Sequence, residues 1–138
     1  MFNEKLATDY LKRAGHRLRA LETLMAEESW ADVIREAQEL VEITLKALLR
    51  ASGVEVPRVH DLSPVLQDNV DRLPANIRVK LGELVNISRT LRRDRELAFY
   101  GSEDLTPSDF YTREDATQAF ASARLVHAEV SRAMSEQS

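Results

Sequence analysis

Three arginines fall within four residues in the stretch Leu91-Arg-Arg-Asp-Arg-Glu-Leu-Ala-Phe-Tyr-Gly101, near the end of an otherwise apolar helical pattern. A guanidinium group binds phosphate through two parallel hydrogen bonds, so Arg92, Arg93 and Arg95 suggest contact with a nucleotide or a nucleic acid backbone. Arg95 is the most informative of the three. In a continuous helix it shares the direction of Ile77, eighteen residues earlier, with Phe99 about 40° away on the same face and Arg93 nearly opposite. A charge on a stripe meant for burial is costly unless it is paired. Two readings stay open: a phosphate contact at the bottom of a cleft, at a dimer seam, or an ion pair with a buried carboxylate such as Glu42.

Other residues could share that chemistry. Glu42 and Lys46 stand four apart in the favourable acid-first order, which suits an ordinary ion pair on a helix surface. Alternatively, Glu42 turns inward and orients Arg95. Arg78, Arg89, Arg92 and Arg93 form a basic strip along one side of the same helical pattern. That strip is either a solvated face balanced by Glu83, Asp94 and Glu96, or a track for an RNA backbone. Tyr100, Phe110 and Tyr111 flank the loop at 102–109, where they either stack a base or anchor the loop on the protein. His16, His60 and His127 do not have the spacing of metal ligands. His60 reads as a residue that fixes a loop, and His127 as one at the boundary of an apolar stripe.

The elements that must position these groups are helices. Asn3 can cap a first helix whose face is Ala7, Leu11, Ala14, Leu18, Leu21 and Met25. Ser29, with Asp32 three residues on, opens a second helix with the stripe Trp30, Ile34, Ala37, Val41, Thr44, Leu48 and Ala51, and Gly53 stops it. Residues 54–61 form a connector, since Pro57 disfavours helix at Val56. Ser63-Pro64 then reads as the cap and first turn of a short helix through about Val70. Pro74 starts a long helix with the stripe Ile77, Leu81, Leu84, Ser88, Leu91, Arg95 and Ala98, ended by Gly101. Residues 102–111 read as a loop. Thr112 and Asp115 make a capping box for a last helix that buries Ala116, Ala119, Phe120, Ala123, Val126, Val130 and Ala133. The expectation is an all-α, up-and-down four-helix bundle with one extra short helix, a single domain over 1–138 with a frayed tail at about 135–138.

Composition narrows the function. The 138 residues contain no cysteine, which excludes disulfides, thiolate metal sites and a cysteine nucleophile. A net charge of -4 argues against coating nucleic acid with the whole surface, though not against a local basic patch. No apolar run suggests a membrane span and the N-terminus lacks the pattern of a signal peptide, so the expected setting is cytoplasmic, with no membrane partner.

The ordered set of motifs resembles the HEPN domain (higher eukaryotes and prokaryotes nucleotide-binding) from about residue 3 to 134. The resemblance rests on Trp30, Ala37-x-x-Leu-Val-Glu42-x-x-Leu-Lys46-Ala-Leu-Leu-Arg-Ala-x-Gly53, Pro57-x-x-His60-Asp-Leu, Leu91-Arg-x-x-Arg95-x-x-Ala-x-Tyr-Gly101 and Tyr111-Thr-x-Glu-Asp-Ala116. It implies a helical bundle that forms homodimers. It further implies a minimal nucleotidyltransferase (MNT) as partner in a toxin–antitoxin pair, and binding of nucleotide or RNA without metal or cofactor. Many members are metal-independent RNA endonucleases with an arginine followed four to six residues later by a histidine. This chain has Arg95, but it reads Ala98-Phe-Tyr-Gly101 where related chains read Ala-His-Tyr-Gly. Phe99 cannot transfer protons. The sequence therefore points to a binding protein that uses Arg95, Arg92, Arg93, Arg89, Tyr100 and Glu42, and not to an efficient ribonuclease. The alternatives are an endonuclease in which Arg95 acts with Tyr100 or a second arginine in place of the histidine, and a non-catalytic adaptor. The polar Ser88 and Arg95 on one stripe suit a wet dimer seam better than a closed core.

Overall fold

The computed structural model describes residues 4–100 and 106–137, with the side chains of all of these except 94–100 and 137. Among the described residues, four long helices, α1 (Glu4–Ala26), α2 (Trp30–Ala51), α5 (Leu81–Tyr100) and α7 (Arg113–Gln137), carry three short ones: α3 (Ser63–Asp68), α4 (Ala75–Val79) and α6 (Pro107–Phe110). A 3₁₀ turn at Val70–Arg72 joins α3 to α4, and there is no strand among the described residues. The all-α bundle follows the apolar periodicity, with four local differences.

The expected long helix from Pro74 is broken at Lys80, which closes α4 with its N–H donating to the Ile77 carbonyl at 3.1 Å. Two anchors hold the break: Lys80 Nζ lies 3.0 Å from Glu129 Oε1, and Asn76 Nδ2 donates to the Glu129 carbonyl and carboxylate. Contacts with α7 override a continuous local pattern. Ser63 is the first residue of α3 and not its cap; Asp61 Oδ1 accepts the Ser63 N–H at 3.0 Å instead. Within the expected loop, Thr106 caps the single turn of α6, accepting the Asp109 N–H at 3.3 Å. The proposed stop at Gly101 lies outside the described residues.

At the start of α2 the expected Ser29–Asp32 capping box does not form: the Ser29 hydroxyl donates to the Asp32 carboxylate at 2.6 Å and caps no backbone N–H. The signals at Thr112 and Gly53 act as expected. Thr112 and Asp115 exchange backbone and side-chain bonds, Thr112 N to Asp115 Oδ2 at 3.0 Å and Asp115 N to Thr112 Oγ1 at 3.2 Å, a capping box. Gly53 takes φ +77° and α2 ends in a Schellman motif, with Val54 N donating to Leu49 O and Gly53 N to Arg50 O.

The core is centred on α2. It packs on α1, α5 and α7 at once, whereas α5 and α7 touch only slightly. A helix enclosed on three sides buries more than one stripe. Thus Val33, Leu40, Leu45, Ala47 and Leu49 are buried beside the expected Ile34, Ala37, Val41, Thr44 and Leu48, while Trp30 and Ala51, at the helix ends, are only partly covered. In α1, Ala7, Ala14 and Leu21 are fully buried and Leu11, Leu18 and Met25 flank them. All seven core positions expected of the last helix are buried in α7.

Candidate functional site: an acid–histidine network beside arginines of α5

Glu42 lies on the one side of α2 that other helices leave partly open. Its side chain is 11% exposed and accepts from three groups. Lys46 Nζ lies 3.2 Å from Oε2, one turn along the helix. Gln38 Nε2 lies 3.4 Å from Oε1, one turn back, and His60 Nδ1 lies 3.0 Å from the same oxygen, brought in by the connector. Burial by itself raises the carboxyl's pKa, but the bonds from His60, Lys46 and Gln38 and the charge of Lys46 outweigh it and hold Glu42 below the ordinary carboxylate range. The site therefore carries a fixed anion, already occupied by its neighbours.

The connector that presents His60 is shaped locally. The Val59 N–H donates to the Pro57 carbonyl at 2.9 Å, a tight turn that leaves the His60 side chain 67% exposed at the rim. Asp61 follows. Burial opposes its ionisation, but the Ser63 backbone N–H and the charges of Arg92 and Arg89 lower its pKa. Those two arginines, one turn from each other on α5, are thus near enough for their charge to act on the connector at Asp61.

The structure divides the sequence's basic strip. Arg78 belongs to α4, where its Nη1 donates to the Leu73 carbonyl at 2.8 Å, so it is a cap of the preceding turn and not part of a strip with Arg89. Arg89 and Arg92 lie within electrostatic reach of Asp61. Arg93 is exposed and lines a different feature, an open cavity of about 430 Å³ between α5 and α7, together with Thr90, Leu91, Tyr111, Asp115 and Gln118. At its end Tyr111 is buried while Phe110 is 41% exposed, the rings meeting edge-on at 5.1 Å. Tyr111 is thereby an anchor for α6. The side chains of Arg95, Phe99 and Tyr100 lie outside the described residues; the α5 backbone is helical through Tyr100. The break at Lys80 removes Ile77 as a phase reference for Arg95, which now has to be placed against Leu84 and Ser88 of its own helix, eleven and seven residues earlier.

The histidines do not assemble. His16 is exposed on α1, and His127 is half-buried with a hydrogen bond to the Leu11 backbone; burial, the larger influence, lowers its pKa. Among the described residues no group of three or more His, Asp or Glu could hold a metal ion, and no helix is long and apolar enough to cross a membrane. The His60–Glu42 bond is the contact that sequence reasoning missed. The two residues are eighteen apart and joined by an irregular connector, so no helical periodicity relates them. The only signal for it in the sequence is the histidine after Pro57, placed before a capping aspartate.

The comparisons agree with this architecture. A crystal structure of TT1696 from Thermus thermophilus is similar, with 27% sequence identity, a TM-score of 0.76, and coverage of 91% of this chain and 96% of that one. No curated protein matches the chain. The family model of the HEPN domain matches residues 7–133. Spanning nearly the whole helical bundle, that match places the chain in the HEPN domain family.

Proposed function

We propose that this protein binds a nucleotide or RNA through the arginine-bearing end of α5, as a homodimer, and partners a minimal nucleotidyltransferase in a toxin–antitoxin-type pair. Membership in the HEPN family supports nucleotide or RNA binding. The observation that carries the reading is a local surplus of positive charge. Glu42 is taken up by Lys46, His60 and Gln38, and among the described residues Asp61 is the carboxylate whose pKa Arg89 and Arg92 lower. Two guanidinium charges act on one carboxylate there, which leaves capacity for a phosphate.

Catalysis is a separate matter. With Phe99 at the place of the motif histidine, proton transfer to and from the ribose hydroxyl and the leaving oxygen has no side chain there to perform it. The protein is therefore a binder with little or no ribonuclease activity. Incubation of single-stranded RNA with the wild type and with Arg95→Ala tests this: neither cleaves above background. Robust cleavage that disappears in Arg95→Ala overturns the reading and assigns an endonuclease with a substituted site. Light scattering at micromolar concentration is expected to give a dimer mass, and a nucleotidyltransferase encoded beside this chain is expected to co-elute with it.

A further inference from the structure

We propose a second contact site for single-stranded RNA, at the end of the α1–α2 groove, built from Tyr10, Arg13 and Arg50. The inference rests on the RNA-binding reading above and extends it to a helix that the sequence left aside. Two guanidiniums converge on one ring there: Arg50 Cζ lies 5.7 Å and Arg13 Cζ 6.0 Å from the centroid of Tyr10. Arg13 is exposed and Tyr10 partly so. Among the described residues neither arginine has a carboxylate partner, and the buried Nε of Arg50 has no acceptor. Beside them a groove of about 200 Å³ is lined by Tyr10, Arg13, Arg17, Lys46, Glu39 and Glu42, among others.

Charge balance limits the site to this end. Arg17 and Glu39 are shared with the neighbouring surface, where Arg17 pairs with Glu36 at 2.7 Å and Asp32 and Arg35 also lie, so opposite charges compensate there. At the Tyr10 end the lining cations Arg13 and Lys46, with Arg50 against the same ring, stand beside Glu39 and Glu42, and Lys46 and His60 already engage Glu42. Glu42 also joins this end to the connector through His60. A partly exposed aromatic ring among guanidiniums suits a strand whose base stacks while its flanking phosphates are held. A flat acidic protein surface would use the cations but not the ring.

Fluorescence anisotropy with a labelled twelve-nucleotide single-stranded RNA, titrated over a series of salt concentrations, tests the site. Each lost phosphate contact lowers the slope of log K against log salt by about 0.7 for a single strand. Arg13→Gln is expected to reduce the slope by that amount and Tyr10→Leu to weaken binding about tenfold, while Tyr10→Phe, which keeps the ring, binds nearly as the wild type. Arg50→Gln is scored only after a thermal melt shows a folded protein. Arg92→Gln reports on α5 independently. If Arg92→Gln weakens binding and Arg13→Gln and Tyr10→Leu do not, the second site is refuted and the proposed function stands. If the α1 variants weaken binding and Arg92→Gln does not, the second site stands and the α5 reading falls. If Arg13→Gln lowers the slope but Tyr10→Leu has no effect, the contact is purely electrostatic and the stacking proposal is wrong. If the wild type binds no RNA, both fall, and the cations belong to a protein interface.

Discussion

Replacing Glu42 by glutamine isolates the charge at the centre of the network while keeping its shape. The wild-type carboxylate, 11% exposed, accepts from Lys46, His60 and Gln38. The amide loses the ion pair with Lys46, worth about 0.5 kcal/mol for a helical i,i+4 pair. It also turns an NH₂ toward one of the donors, which leaves a partly buried donor unmatched at a cost of about 1–3 kcal/mol. The expected destabilisation is about 2 kcal/mol, or a loss of about 6 °C in Tm for a chain of this size. Its pH dependence gives a sharper test. The folded pKa of Glu42 lies below its ordinary value of 4.5, so the carboxylate adds stability that is complete above the unfolded pKa and lost as pH falls through the folded one. Urea unfolding followed by circular dichroism should therefore show the full gap between wild type and Glu42→Gln at pH 7 and a smaller gap at pH 3. A gap below about 0.5 kcal/mol at pH 7, or one that does not change with pH, would refute the account of Glu42 as a held anion.

Two further substitutions probe the scaffold. Gly15→Ala, inside α1, places a Cβ 3.7 Å from His127 Nε2, an ordinary contact, and should raise stability by about 0.5–1 kcal/mol; a loss measured by urea unfolding would mean that the α1–α7 packing is tighter than described. Burial holds His127 below its usual pKa of 6.5, so its contribution is present above that pH and lost as pH falls below it, and the urea midpoint should decline from pH 7 to pH 5.5. His127→Leu should flatten that part of the profile; an unchanged decline would assign it to another group.

The sequence by itself determined the helical class, the faces of α1 and α7, the capping box at Thr112, the stop at Gly53 and the family resemblance. These depend on short-range geometry: side chains three or four apart share a face, and cap residues bond to backbone within one turn. Tertiary structure decided the rest. It broke the fourth helical pattern at Lys80, because Glu129 of α7 offers bonds to Asn76 and Lys80 that no local signal specifies. It surrounded α2 on three sides, which turned residues off the expected stripe into core. It separated Arg93 from Arg89 and Arg92, and it joined His60 to Glu42 across an irregular connector. Periodicity gives the direction of a side chain around its own helix axis, but it contains no information on which neighbour stands in that direction. The partners of a charge are set by the packing of elements distant in sequence, and so is the chemistry of the site.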